Sequence, residues 1–479
     1  MAQDNLKQKT KNGLYWSFAN NIANKGMQFV FSIILARLLT PSDYGLIGML
    51  AIFIAIIQIF VESGFSQAII TKQDRTQTDL STAFYFNIGV GVLGYLILFV
   101  SAPLIANFYG MPLLKPILRV IGFGGIFNSL NIVQNAHYAI RLDFKTPAKV
   151  SVFSQMFTGV LGIFLAYEGF GVWALVFQQV SGGLIGLLLN WYLVRWKPTA
   201  EFNKESFLYL WRYGSKVLSS GLLSTIYDNV QPLLIGKFFS SSALGLYSRA
   251  QGFATLPSSN LSGILANVTF PLLSKINDDI ERLGSIYRRL IKFSAFIIFP
   301  LMIGLASISA PLVHFLLPER WNGCIPLLRL LCFSLMWQPI SLVNLNLLNA
   351  AKRPDVVLKI EMIKKPLGLI LLIASIPYGI IMMCVANLLV CLLAGAINTV
   401  MTSRTLNVPF MAQVRDLLPV FLLSLSMGCI VYFFTTIVHP PLLSMIIGIA
   451  IGFVVYILGA YFFMPELMKD TLYLIKRKK

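Results

Sequence analysis

Long uncharged apolar runs recur along the whole chain, separated by short polar and basic gaps. Runs of about 20 apolar residues match the hydrocarbon thickness of a bilayer. The pattern predicts an all-α integral membrane protein with 14 spanning helices, at 13–38, 43–69, 80–102, 115–139, 147–167, 170–194, 214–239, 245–272, 290–309, 325–350, 355–376, 378–402, 416–438 and 441–463. Two gaps carry helical spacing of their own. Glu201 to Tyr213 sets Phe207, Leu208, Leu210 and Trp211 among charges. Ser274 to Lys292 repeats apolar residues through Ile276, Ile280, Leu283, Tyr287 and Leu290. Both are expected as amphipathic helices lying in the membrane interface. The longest external loop, Pro311 to Ile325, has room for one turn or a short interfacial helix.

The runs repeat in order. Ala36-Arg37-Leu38-Leu39-Thr40-Pro41-Ser42-Asp43-Tyr44-Gly45-Leu46 returns in altered form as Gly236-Lys237-Phe238-Phe239-Ser240-Ser241-Ser242-Ala243-Leu244-Gly245-Leu246. Ala102-Pro103-Leu104-Ile105 returns at Ala310-Pro311-Leu312-Val313, and Pro116-Ile117-Leu118-Arg119 at Pro326-Leu327-Leu328-Arg329. A weaker echo links Gly169-Phe170-Gly171 to Pro377-Tyr378-Gly379. The chain therefore reads as a duplicated unit of about 200 residues with a C-terminal addition. The expected boundaries are 1–200 for one six-helix lobe, 201–403 for the second, and 404–479 for two further helices and a basic tail.

Charge sets the orientation. With the N-terminus in the cytoplasm, 30 of the 38 Lys and Arg fall in cytoplasmic segments and 7 on the opposite side. Positive charge marks the cytoplasmic side, so both termini are expected there. The formal net charge of +19 would suggest nucleic acid in a soluble protein, but 57% hydrophobic and 12% charged composition excludes that class. The five cysteines form no CxxC pair, and all but Cys324 lie inside apolar runs, as packing residues do. The polar, basic first 12 residues, and the long apolar segment after them, are unlike a cleavable signal peptide.

Ionisable and amide side chains inside spans are the candidates for function, because burying a charge in a bilayer is costly. Lys25 falls near the middle of the first span, with Asn21, Asn24 and Gln28 on its face at helical spacing. Asp228 holds the corresponding place in the seventh span, and Glu62 lies deep in the second. An ion pair of Lys25 with Asp228, a cation site and a proton site all remain open. Arg119 and Arg329 are repeat-related, one turn into the fourth and tenth spans, and Arg249 lies near the outer end of the eighth. Such bases also snorkel to headgroups. Amides crowd the fourth span, Asn128, Asn131, Gln134 and Asn135 among them, and amides also serve as glue between helices. His137, His314 and His439 are scattered, so no metal site is expected, and no nucleophile elbow, phosphate-binding loop or paired-carboxylate pattern is present.

Leu35-Ala36-Arg37-Leu38-Leu39-Thr40-Pro41-Ser42-Asp43-Tyr44-Gly45 resembles the signature of polysaccharide transporters in the MOP (multidrug/oligosaccharidyl-lipid/polysaccharide) flippase superfamily. Gly64-Phe65-Ser66-Gln67-Ala68-Ile69-Ile70, Arg141-Leu142-Asp143-Phe144-Lys145 and Gly169-Phe170-Gly171-Val172-Trp173-Ala174-Leu175 are similar to further blocks of that family, closest to its colanic-acid-exporter and Wzx-type members. The resemblance covers the N-terminal repeat and fades in the second. It implies two six-helix lobes in a V around a central cavity, and export of undecaprenyl-diphosphate-linked repeat units from the cytoplasmic leaflet of the bacterial inner membrane. It also implies basic residues in the first, second and eighth helices that bind the diphosphate. Lys25 and Arg249 occupy two of those helices, whereas the second carries the acid Glu62.

The resulting expectation is a flippase and not an enzyme. Lys25 and Arg249 attract the diphosphate, assisted by Arg119 and Arg329, and Asn21, Asn24, Gln28, Asn131 and Gln134 meet sugar hydroxyls. Asp228 and Glu62 are candidates for coupling to H+ or Na+. No cofactor is expected; the expected partners are the lipid-linked oligosaccharide, membrane lipids and the polysaccharide polymerase or chain-length machinery. Two rivals are a cation-coupled drug antiporter of the same superfamily and a polytopic polymerase or ligase. The first is kept alive by Asp228 and Glu62; the second lacks the large external loop that its chemistry needs.

Overall fold

The computed structural model describes residues 20, 23–62, 64–274, 280–406 and 408–468. It is all-helical over those residues. After α1 (residues 23–38) come α2 (Pro41–Glu62), α3 (Phe65–Thr71), α4 (Gln77–Tyr109), α5 (Leu114–Ile121), α6 (Phe123–Arg141), α7 (Lys145–Tyr167), α8 (Val172–Val194), α9 (Lys204–Phe238) and α10 (Ser241–Ser274). The second half runs through α11 (Ile280–Ser307), α12 (Ser309–Leu316), α13 (Cys324–Leu335), α14 (Gln338–Ala350), α15 (Pro354–Ser375), α16 (Ile380–Leu406), α17 (Phe410–Ile437) and α18 (Pro441–Phe463). Contacts cluster into two compact units, Met1–Gly245 and Leu246–Lys479.

Ten stretches among the described residues are helical, long and apolar enough to cross a membrane. They correspond to ten of the 14 expected spans. The first expected span lies partly outside the described residues. The other three coincide with α9, α10 and α15, which are helices of sufficient length but too polar to pass on composition alone. A polar helix in a bilayer protein needs a protein or aqueous neighbour for its polar side.

The two expected interfacial helices are corrected. Residues 204–213 are the first turns of the 35-residue α9, not a separate element. Their apolar side packs into protein: Leu210 is fully buried, and Phe207 stacks on Trp211 and contacts Phe65 and Phe86. Likewise Leu283 and Tyr287 are buried within the continuous α11, which lies along α17. In both cases part of the amphipathic period meets a protein neighbour, while Leu208 and Trp211 remain exposed. Residues 275–279, including Ile276, lie outside the described residues.

The quoted motifs turn out to be helix starts and turns. Thr40 and Asp43 form a reciprocal cap, with Asp43 Oδ2 accepting from the Thr40 backbone N–H at 2.9 Å and from its hydroxyl at 2.7 Å. Pro41 takes the first helical position of α2, where its missing N–H costs nothing. In the second copy Ser240 Oγ accepts from the Ala243 N–H at 3.1 Å. The two helix starts meet inside the first unit. A Cβ added at Gly45 would lie 1.7 Å from the Ser241 carbonyl oxygen, and one at Gly245 would lie 1.7 Å from that of Pro41. Ser42 and Ser241 share a hydroxyl hydrogen bond of 2.7 Å at the same crossing. Each glycine thus faces the residue four before the other glycine, a locally two-fold arrangement.

Asp143 closes the next connection. Leu142 turns the chain through φ 54°, and Asp143 Oδ1 accepts from the N–H groups of Lys145 and Thr146 at 3.1 and 3.0 Å. Burial raises the Asp143 carboxyl, but the Thr146 hydroxyl, these N–H groups and the Arg141 charge outweigh it and hold it below the usual carboxylate range. Gly169 and Gly171, at φ 84° and 55°, make the tight α7–α8 turn.

Candidate functional site

In the first unit, α2 breaks at Gly64, which adopts φ 68° where an added Cβ would lie 3.0 Å from the Gly214 Cα of α9. The break leaves a cavity of about 350 Å³ between α2, α3, α6 and α9. Glu62, Ser66, Gln67 and Asn135 supply its polar lining, with Ile59, Ile132, Val217 and Leu218 as the apolar part. Glu62 and Asn135 are both exposed to it. A second cavity, of about 130 Å³, holds Gln58, Asn128 and Gln179. Gln58 and Glu62 are one helical turn apart on α2, so that a single polar stripe serves both cavities.

The amides of α6 divide by face. Asn128 and Asn135 reach the cavities. Asn131 and Gln134 are buried instead. Asn131 Oδ1 accepts from Asn190 Nδ2 at 3.2 Å, and Tyr138 donates to Asn190 Oδ1 at 3.2 Å. The Gln134 amide donates to the Leu130 carbonyl at 2.8 Å and accepts from the Trp191 indole N–H at 3.1 Å. These bonds join α6 to α8, the helix-glue role available to any amide in a bilayer protein. Sequence spacing lists all four amides together; only Asn190 and Trp191, both on α8, separate them.

Lys25 is half-buried on α1, and Asn24 beside it donates from Nδ2 to Asn20 Oδ1 at 2.6 Å. Phe31 of the same helix packs where a Cβ at Gly159 of α7 would stand, while Leu35 is buried against Ala166 and Ala174. Lys25 lies about 120° round the helix from Phe31 at 100° per residue. No described atom comes within 4 Å of a Cβ built at the adjacent Gly26, which points about 100° away from Lys25. Gln28 is exposed; Asn21 lies outside the described residues. Asp228 is exposed on α9.

Each arginine has aromatic neighbours of its own. Arg119 lies 4.0 Å from the Phe99 ring centroid. In the second unit Arg249 is buried on α10, 5.3 Å from the Trp321 ring and 5.9 Å from that of Phe253. A planar guanidinium suits such stacking. Arg329 donates from Nε to Ser309 Oγ at 2.9 Å and stands 5.1 Å from the Tyr432 ring.

One charged cluster escapes sequence reasoning. Asp416 of α17, buried near the start of that helix, accepts two bonds from Arg288, at 2.6 and 2.9 Å, and pairs with Lys292 at 2.8 Å. Beside it the Tyr287 hydroxyl bridges Asn344 Oδ1 and Gln413 Oε1, at 2.5 and 2.6 Å. The signal available was one acid at the edge of an apolar run and two bases four residues apart. Nothing in the order of residues brings positions more than 120 apart together.

Comparison with known proteins adds a family. The family model for "Polysaccharide biosynthesis protein" matches residues 34–326. The teichuronic acid biosynthesis protein TuaB of Bacillus subtilis is 27% identical over 355 residues, which cover 73% of this chain and 73% of that protein. The lipopolysaccharide biosynthesis protein WzxC of Escherichia coli is 24% identical over 365 residues, 75% of this chain and 73% of that one. Among solved structures, the lipid II flippase MurJ in an inward closed conformation superposes with a TM-score of 0.77 at 18% identity, covering 95% of this chain and 100% of that one. An inward-facing MATE-family multidrug transporter of the MOP superfamily gives 0.63 at 15% identity, over 81% and 94%. These two likenesses show a shared fold.

Proposed function

Because the chain belongs to the polysaccharide biosynthesis protein family, we propose that it is a flippase moving undecaprenyl-diphosphate-linked oligosaccharides across the bacterial inner membrane for surface polysaccharide assembly. The family match over 34–326 carries this reading. Relatives named for teichuronic acid, lipopolysaccharide and succinoglycan biosynthesis support it, the last named as a transport protein. Polar cavities enclosed by apolar spans give a sugar somewhere to bind within a bilayer protein. The polysaccharide polymerase or chain-length machinery is the partner that would receive the product.

In this proposal α1, α9, α10 and α15 complete a set of 14 spans. Residues 1–200 and 201–403 form two six-helix repeats related by a pseudo-two-fold along the membrane normal, and 404–479 supplies the last two helices and tail. The two repeats rock in alternating access. Lys25 and Arg249 hold the diphosphate, and Gln28, Asn128 and Asn135 face the sugar. Glu62 or Asp228 takes up H+ or Na+. An anion leaving a negative interior gains roughly 2.3 kcal/mol per charge per 100 mV, which favours export of a diphosphate.

The purified chain in liposomes should move undecaprenyl-diphosphate-linked oligosaccharide between leaflets, scored by access to an external glycosidase, and should leave cationic dyes untransported. Dye exchange without oligosaccharide movement would establish the antiporter reading, which the exposed acids Glu62 and Asp228 favour. In this proposal both termini lie in the cytoplasm. In a cysteine-free background, a cysteine at exposed Pro440 should therefore react with an impermeant external reagent and one at exposed Thr76 should not. The opposite labelling pattern would reverse the orientation.

A further inference from the structure

A third polar cavity lies wholly in the second unit, among α12, α13, α17 and α18, and the transport reading does not use it. Its volume is about 350 Å³. His314, Arg329, Thr435, Thr436, His439 and Ser444 supply its polar lining, and none of the described lining residues is acidic. Its lining begins on α17 at Tyr432, 16 residues beyond Asp416 and so about 24 Å along the helix at 1.5 Å per residue. It is therefore separate from the Asp416 cluster.

The hydroxyls here are committed. Thr435 and Thr436 donate to the carbonyls of Tyr432 and Phe433, at 2.8 and 2.7 Å, and Ser444 donates to that of Thr435 at 3.3 Å. The Arg329 guanidinium is fixed by Nε on Ser309 and by the Tyr432 ring, which leaves its Nη groups without hydrogen-bond partners among the described residues. Both imidazoles likewise have no hydrogen-bond partner among the described residues. A fixed planar fork with two neighbouring imidazoles is a donor set for the oxygens of a phosphate group. The flanks are apolar and exposed: Phe433, Ile437, Leu443 and Ile446 lie on the neighbouring turns of α17 and α18. A soluble phosphate has no use for such flanks; a phosphate carried on a lipid does.

We propose that the cavity formed by Arg329, His314 and His439 binds a phosphate group, and that its ligand is the phosphate of an anionic lipid whose tails lie against α17 and α18. The site is independent of the transport proposal and would exist on a protein of any activity.

The test is native mass spectrometry of the full chain in detergent, titrated with phosphatidylglycerol or with phosphatidylcholine of the same acyl chains. The native chain should retain phosphatidylglycerol in preference. Arg329→Gln should weaken that retention about tenfold, as the loss of a charged hydrogen-bonding partner does, and so narrow the preference over phosphatidylcholine. The double variant His314→Gln/His439→Gln leaves the Arg329–Ser309 bond in place and should weaken it as well, which keeps the test valid if Arg329→Gln folds badly. Lys115→Gln, on a helix of the other unit, should not change it. Inorganic pyrophosphate should fail to displace the lipid; displacement at comparable concentration would keep the phosphate site and overturn the lipid source. Undiminished preference for phosphatidylglycerol in the folded variants would overturn the site itself.

Discussion

Gly45→Ala is expected to destabilise the protein by about 3 kcal/mol or more, at the upper end of what overpacking costs. The added methyl would sit 1.7 Å from the Ser241 carbonyl oxygen, and the Ser241 Cα and carbonyl carbon are also within 2.9 Å. These are backbone atoms in the first turn of α10, so no side chain can swing aside. Relief requires the starts of α2 and α10 to separate, which also breaks the 2.7 Å Ser42–Ser241 hydrogen bond. Gly245→Ala meets Pro41 in the same way and should cost a similar amount. Both lesions act by opening one crossing, so the double variant should cost less than the sum of the singles. Gly89→Ala is the control. That glycine lies inside α4, and a Cβ there meets no described atom within 4 Å. It should be neutral or slightly stabilising, because alanine favours a helix over glycine by about 1 kcal/mol. Unfolding in detergent, followed by circular dichroism, separates these cases. Gly45→Ala as stable as Gly89→Ala would show that the crossing is not close-packed.

The same crossing explains why much of this fold could be read from the sequence. Thr40, Pro41 and Asp43 are recognisable because each does a local job, as a cap, a first helical position and a return hydrogen bond, and the glycine that does recur, Gly45 and Gly245, makes the close approach. Asp143 and the pair Gly169 and Gly171 are of the same kind. Local jobs leave local signals, and those signals located the helix ends and the family. Spans were legible where lipid is the neighbour. They were less legible in α9, α10 and α15, whose polar sides have other surroundings. The amphipathic period of 204–213 and of α11 was visible, but the period does not say whether the apolar side meets lipid or Leu210 and Tyr287 meet protein. The candidate site was legible only as a set of residue types. Asn131 and Asn135 are one turn apart on α6, yet one is hydrogen-bonded to Asn190 and the other is exposed to a cavity. The pairing of Asp416 with Arg288 and Lys292 was not legible, because the partners are brought together by the packing of α11 on α17.

Lys25→Ala should abolish export while leaving membrane abundance near normal. The helix that carries Lys25 is held by its other side, where Phe31 fills the groove at Gly159 and Leu35 is buried against α7 and α8. Loss of the lysine leaves the Phe31 and Leu35 contacts in place. A half-buried ammonium on this helix is suited to an anionic partner. A diphosphate is such a partner under the proposed function. Lys25→Arg should keep part of the activity, because a planar fork binds phosphate with a different geometry from a point charge. Asp228→Asn distinguishes two roles for the exposed acid on α9. A mild defect fits an acid that balances charge in the empty site; a defect as deep as that of Lys25→Ala fits one that carries the coupling cation. The measurement is complementation of a flippase-deficient strain, scored by surface polysaccharide with membrane protein quantified in parallel. Full export by Lys25→Ala would remove the lysine from substrate binding. Loss of export together with loss of protein would make it a folding residue, contrary to the one-sided packing of α1.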